Sequence, residues 1–273
     1  MIAKLLHLSD LHFGPPLRRH LAEVVIREAH DLLPDCFVVS GDVTQRARRY
    51  QFRQARAFLD RLPSPLLVIP GNHDVPLHNL FLRFWRPLGR YRAFISAVPD
   101  VAAVVEVAGL SVVGLNSTRS LTIDGGGVCD KQLAWAEAQF AQSPRDDCRI
   151  VVVHHHFLCD GGHQRPIRRA RYLLRRFADM GVEMVLVGHR HWARTERVDK
   201  GPIIVQAGTA TSCRGKGKER GKNSYNVILV DQTAIEVTCH RYRAGLHRFE
   251  PVWTERFDRM FGTDGGKPES LAR

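Results

Sequence analysis

Five polar clusters in this chain each follow a short apolar run. They are Asp10-Leu11-His12, Gly41-Asp42, Gly71-Asn72-His73-Asp74, His154-His155-His156 and Gly188-His189-Arg190-His191. From them, Asp10, His12, Asp42, Asn72, His154, His189 and His191 make a nitrogen and oxygen donor set with no thiolate. Such donors suit Mn, Fe, Zn or Co and do not suit a structural thiolate zinc site. Asp10 and His12 are two positions apart, as are His189 and His191, so on an extended segment each pair points to one side. Asp42 is the natural bridge, because a carboxylate offers one oxygen to each of two ions. Each residue has an ordinary explanation when taken singly. A strand-end Asp caps a helix, an Asn after Gly forms a turn, and a His in a histidine run packs in a core. Five clusters at five strand ends favour a shared metal site.

The elements that must carry these residues are readable from periodicity. Residues 2–9, 36–40 and 66–69 read as buried strands. Residues 17–33 and 48–62 read as amphipathic helices, with Leu21, Val24, Val25 and Ala29 on one inner face and Phe52, Ala55, Phe58 and Leu59 on the other. This β-α-β-α-β opening predicts a parallel sheet covered by helices. Ligands in such sheets collect beyond the carboxyl ends of the strands, where Asp10, Asp42 and Asn72 fall. Residues 76–99 are less regular and rich in aromatic and basic residues. A hairpin around Gly109, a helix capped by Asp130, a strand at 150–153, a helix at 166–180 closed by Gly181 and a strand at 184–187 follow. From 203 onward the pattern predicts antiparallel strands at 203–206, 225–230, 235–239 and 246–253. Residues 1–261 read as one domain, and the glycine-rich stretch 262–273 as a disordered tail.

Composition narrows the class. The chain has 273 residues, 44% of them hydrophobic and 25% charged, which fits a soluble globular protein. No apolar run is long enough to span a membrane, and Met1 leads straight into a strand with no signal-peptide pattern, so the expected location is cytoplasmic. The six cysteines form no C-x-x-C pair and read as small, mostly buried hydrophobes. Lys and Arg number 40 against 28 Asp and Glu, a formal charge of +12, which points to an anionic substrate or partner.

The blocks D-x-H, G-D, G-N-H-D, H and G-H-x-H occur complete and in order between residues 10 and 191. In this the chain resembles the calcineurin-like metallophosphoesterase superfamily. Residues 6–12, 41–45 and 208–212 are similar to those of bacterial class III cyclic-nucleotide phosphodiesterases and glycerophosphodiesterases. The resemblance implies an α/β fold of two packed mixed β-sheets flanked by helices. It implies one metal ion on Asp10, His12, Asp42 and His191, and a second on Asp42, Asn72, His154 and His189. His154 is chosen over His155 because the family ligand opens its histidine segment. Many relatives carry prolines where His155 and His156 stand here.

The expected function is hydrolysis of a small phosphodiester, of cyclic-nucleotide or glycerophosphodiester type, by a hydroxide bridging two divalent or trivalent ions. His73 is expected to bond the phosphoryl group and help protonate the leaving alkoxide. Asp74 is expected to orient a neighbouring imidazole. Arg46, His155 and Thr209 are assigned to substrate contact. Three basic runs, at 46–49, 165–171 and 214–222, lie just downstream of site loops and form a positive funnel. The alternatives are a nuclease, a phosphomonoesterase and a non-catalytic scaffold. A nucleic-acid partner is not favoured, since aromatics are not interleaved with the basic runs. A homodimer is left open.

Overall fold

The computed structural model describes residues 2–97, 101–107, 109–122, 124–158, 165–215 and 219–260. The expected tail at 262–273 lies outside the described residues. In chain order the strands are β1 (Ala3–Leu8), β2 (Cys36–Val39), β3 (Leu66–Val68), β4 (Val101–Val107), β5 (Leu110–Leu115), β6 (Cys148–Val152), β7 (Val182–Val187), β8 (Arg194–Arg197), β9 (Ile203–Gln206), β10 (Ser224–Val230), β11 (Ala234–Arg243) and β12 (Arg248–Asp258). The helices are α1 (Arg19–Leu32), α2 (Arg49–Leu59), α3 (Leu80–Trp85), α4 (Gly89–Phe94), α5 (Asp130–Gln142) and α6 (Ala170–Asp179).

Two six-stranded mixed sheets result, ordered β12-β11-β10-β1-β2-β3 and β4-β5-β6-β7-β9-β8. The alternation of side chains along each strand explains how they stack. Leu5, Val38 and Leu67 of the first sheet pack against Ile150, Leu186 and Val205 of the second. Their sequence neighbours turn the other way, so that Leu6, Leu8, Phe37 and Val39 meet α1 and α2. Val151, Val153, Val185 and Val187 meet α5 and α6 in the same manner. Burying a Val, Leu or Ile side chain is worth about 1.5–3 kcal/mol, so three apolar layers fix the strand ends firmly.

β1-β2-β3 and β5-β6-β7-β9 run parallel within their sheets. Their carboxyl ends therefore bring the five polar clusters to one edge of the sandwich. Three expectations need correction. β9 lies in the second sheet, parallel to β7 and antiparallel only to β8, apart from the antiparallel series β10-β11-β12. β8, whose sequence Arg-Thr-Glu-Arg has no apolar run, was not expected and forms the sheet edge beside β9. Asp130 begins α5 in its first turn, and Cys129 is the cap. Gly181 does close α6, with φ +73°. Among the described residues no helix is long and apolar enough to cross a membrane. Cys36, Cys148 and Cys239 are buried, whereas Cys129 and Cys213 are exposed.

Candidate metal centre

Backbone bonds lace the site loops together beyond the strand ends. Asp10 N–H donates to the Gly41 carbonyl at 3.1 Å, and His12 N–H to the Asp42 carbonyl at 2.9 Å. Of the ten non-glycine residues with positive φ among the described residues, five are Asp10, His12, Asp42, His189 and His191. A left-handed conformation costs a residue of this kind about 1–3 kcal/mol and persists only in a rigid frame. The two packed sheets supply that frame. Two glycines permit the loops to meet. A Cβ on Gly71 would stand 2.1 Å from Asp42 Oδ1, and one on Gly188 would stand 1.9 Å from Ser9 Oγ.

The side chains gather into two groups that share Asp42. In the first, one ligand atom each from Asp10, His12, Asp42 and His191 lies within 4.8 Å of every other. His12 Nε2 and His191 Nε2 are 3.0 Å apart. Asp10 Oδ1 is 3.1 Å from His191 Nε2 and 3.5 Å from His12 Nε2, and Asp42 Oδ2 is 3.7 Å from His12 Nε2. In the second, His154 Nε2 and His189 Nδ1 each stand 3.0 Å from Asn72 Oδ1. Asp42 Oδ1 is 3.4 Å from that same His154 nitrogen. Asp42 thus turns one oxygen to each group. All of these residues are buried except Asn72, which is half-buried.

The surroundings hold each ligand with one face outward to the centre. Asp10 Oδ2 accepts the Ser9 hydroxyl at 2.7 Å and the His189 backbone N–H at 2.9 Å. Asp42 Oδ1 accepts the His73 backbone N–H at 2.8 Å. The other oxygens, Asp10 Oδ1 and Asp42 Oδ2, are buried with no hydrogen-bond partner among the described residues. His154 Nδ1–H donates to the Ser40 carbonyl at 2.8 Å, and His191 Nδ1–H to the Arg214 carbonyl at 3.1 Å. In the neutral ring each leaves the lone pair on Nε2, the arrangement that orients a ligating imidazole.

Electrostatics agree with this geometry. Burial opposes the charge on Asp10, but His191, His12 and His154 hold its carboxyl well below the usual range. Asp42 is likewise held low against burial, by His154, His73 and His12. Burial pushes His12 down to about 4, with Asp10 and Asp42 opposing. It also holds His155 and His189 well below the ordinary histidine value. His154 goes the other way, to about 9, because Asp42 and Asp10 outweigh its burial. Ionised carboxylates, mostly neutral imidazoles and a strong pull on positive charge form a coherent cation-binding set. With two orphaned carboxylate oxygens buried at its centre, the donor set fits a metal ion of the nitrogen- and oxygen-loving kind.

The remaining assigned residues fall in distinct places. His73 is half-buried and its Nδ1–H donates to the Gln45 carbonyl at 2.8 Å. Its ring meets His12 edge-on at 4.9 Å. His73 and Asn72 line a small cavity with Gln45, Arg46, Leu77 and Arg83. Arg46 also lines a cleft of about 470 Å³ with Arg48, Tyr50 and Arg214. His155 is buried, its Nδ1 2.7 Å from Ser117 Oγ and its ring 4.8 Å from that of His189. Thr209 is fully buried, with its hydroxyl donating to the Asp10 carbonyl at 2.7 Å, a support behind the ligand loop. Among the described residues Asp74 has no imidazole partner, contrary to expectation. Its carboxylate accepts Gly71 N–H, Val43 N–H, Thr44 N–H and the Thr44 hydroxyl at 2.8–3.1 Å, tying the two loops that carry Asp42 and Asn72.

The basic runs divide. Arg46, Arg48 and Arg214 reach the cleft. Arg169 instead pairs with Asp130 and covers Tyr172, and Lys222 pairs with Glu219. Lys216 and Lys218 lie outside the described residues. Ser9, Thr44 and Ser40 were missed as supports. Their one signal was a hydroxyl residue beside the Asp10 and Asp42 blocks.

A family model described as calcineurin-like phosphoesterase matches residues 3–193. A glycerophosphodiester phosphodiesterase GpdQ from Enterobacter lignolyticus is 29% identical over 215 residues, covering 68% of this chain and 70% of that protein. A purple acid phosphatase from yellow lupin seeds superposes with a TM-score of 0.71 at 13% identity, over all of this chain and 57% of the other. A dimetal phosphatase from Danio rerio superposes with a TM-score of 0.65 at 12% identity, over 95% of this chain and 99% of the other. The two structural likenesses concern the fold.

Proposed function

The chain belongs to the calcineurin-like phosphoesterase family and is a metal-dependent phosphoester hydrolase; from that premise we propose that it hydrolyses a small anionic phosphodiester at a two-metal centre. The observation that carries the reading is the division of Asp42, with Oδ2 toward the Asp10–His12–His191 group and Oδ1 toward the Asn72–His154–His189 group. Two bound ions would supply Lewis acidity and a water nucleophile at neutral pH. Asn72 would ligate without adding negative charge, so the centre keeps a net pull on a phosphate anion.

The chain's own residues supply the rest. Arg46 and Arg214 lie near enough to His73 to help hold its pKa below the ordinary value, against the pull of Asp42 and after the larger effect of burial. The same guanidinium groups can bind phosphoryl oxygens directly. With Nδ1–H committed to the Gln45 carbonyl, His73 Nε2 is the nitrogen left to exchange a proton with the leaving oxygen. Asp74 holds the His73 turn against the Asp42 loop, so that positions are set before substrate arrives. The glycerophosphodiester class is favoured by the relative from Enterobacter lignolyticus. The cleft beyond Arg46 has room for a nucleotide as well.

The test is a panel run with the Mn-loaded protein: bis(p-nitrophenyl) phosphate, glycerophosphodiesters, cyclic nucleotides, a phosphomonoester and a labelled oligonucleotide. Metal-dependent cleavage of the small diesters is expected. Cleavage confined to the oligonucleotide would establish a nuclease, and cleavage confined to the monoester a phosphatase.

A further inference from the structure

Helix α3 is built inside out. Its charged residue, Arg83, is buried and donates to three backbone carbonyls, those of Ser120 at 2.7 Å, Pro76 at 3.1 Å and Thr122 at 2.5 Å. Its apolar residues Leu80, Phe81, Phe84 and Trp85 face solvent, and Phe81 and Trp85 stack with ring planes 8° apart. The loop that Arg83 holds presents Leu121, exposed at 76%. Ten large hydrophobic side chains are exposed among the described residues, and five of them lie on α3 and on the loop that Arg83 bonds. Such a concentration marks an interaction surface, whereas the scattered remainder needs no explanation. Nothing in the hydrolytic reading uses it.

The charges around the patch choose among occupants. Residues 75–99 contain no Asp or Glu, and Arg86, next to Trp85, is exposed, whereas Arg83 is turned inward and Arg90 is half-buried with a bond to the Ala47 carbonyl. The loop that Arg83 holds adds the half-buried Arg119 and a single carboxylate, Asp124. Docked against a second copy about a two-fold axis, the face would set Arg86 near its own equivalent, with no acid in residues 75–99 to pair it. An anionic lipid surface would instead neutralise this charge while the aromatic side chains enter the interfacial region, where Trp, Phe and Leu beside Arg are favoured. The patch also adjoins the site. Arg83 and Leu77 line the same cavity as Asn72 and His73. We infer that the α3 face, with Leu121, docks on an anionic phospholipid surface and brings the mouth of the metal centre to it.

The test is cosedimentation of the full-length, metal-loaded protein with vesicles of phosphatidylcholine plus phosphatidylglycerol, against phosphatidylcholine alone. Partition at least about tenfold stronger onto the anionic vesicles is expected, weakened by added salt. The double variant Phe81→Ser/Trp85→Ser should lose about tenfold of that partition, and Arg86→Glu should weaken it too. Both variants should hydrolyse soluble bis(p-nitrophenyl) phosphate as the parent does, which also shows that they fold. Absence of partition would overturn the inference, as would partition indifferent to both variants. A parent dimer in analytical ultracentrifugation that Phe81→Ser/Trp85→Ser dissociates would assign the face to a second copy instead. None of these outcomes depends on which phosphoester the centre cleaves.

Discussion

The Asp42 carboxylate accepts the backbone N–H of His73 at 2.8 Å through the oxygen nearer His154. One side chain therefore turns an oxygen to each of the two groups and also fixes the turn that carries His73. The order of cause runs from the sheet to the chemistry. β2 and β3 are adjacent parallel strands, so the loops that leave them, at Asp42 and at Asn72, must lie side by side. Gly71 has no side chain to keep them apart.

Asp42→Asn keeps an acceptor oxygen for the His73 N–H and removes the negative charge. The fold should survive, while metal retention after dialysis and hydrolysis both fall by more than the roughly 10–100-fold typical of losing a group that only supports a ligand. Elemental analysis beside a bis(p-nitrophenyl) phosphate assay reads both. Parent-like metal content and rate would remove Asp42 from the ligand set.

His73→Asn separates proton transfer from substrate binding. An alkoxide leaving group needs a proton, and p-nitrophenolate does not. The variant should lose about 10²–10⁴ in kcat on a glycerophosphodiester and much less on the nitrophenyl diester. An equal loss on both would give His73 a role in holding the phosphoryl group or the turn.

The clusters that carry the assigned metal-binding residues were legible because each ended an apolar run, and runs of that kind become adjacent strands. What lay beside each of those residues was not legible. Thr209 meets Asp10, and Arg214 meets His191, only because the segment after β9 returns along the loop after β1, a neighbour relation absent from local spacing. Asp74 looked like an imidazole partner because histidines surround it in the sequence, yet the loop packing offers it backbone N–H groups first. β8 escaped notice since only Thr195 of its four residues is buried. The run Leu-Phe-Leu-Arg-Phe-Trp likewise gave no sign that its arginine would turn inward.

Asp74→Ala would leave three buried backbone N–H groups and the Thr44 hydroxyl without their acceptor. Each such loss costs about 1–3 kcal/mol, so a destabilisation on the order of 3 kcal/mol or more is expected by denaturant unfolding. Metal affinity should fall with it, since the bonds that break hold the Asp42 and Asn72 loops together. Asp74→Asn should recover only part of the loss, because its amide group would face N–H donors. A variant as stable as the parent would show that the loops are held by other contacts.

His7 supplies a pH dependence independent of the metal. It is fully buried in β1, with Nε2 2.9 Å from Ser40 Oγ and no partner for Nδ1 among the described residues. Burial lowers its pKa from 6.5 to about 3, against a smaller opposing pull from Asp10. Between those values the unfolded chain binds a proton that the folded chain does not, so stability is full above pH 6.5 and falls as the pH drops. At pH 5.5 the loss from this one group is about 1.4 kcal/mol, a figure that requires only a folded value well below that pH. His7→Gln keeps a polar group near Ser40 and cannot titrate. In metal-free protein, urea unfolding between pH 7 and pH 5 should show a shallower decline for the variant, by about one proton in the slope. Parallel declines in the two proteins would mean that His7 takes up its proton in the folded state as readily as in the unfolded one.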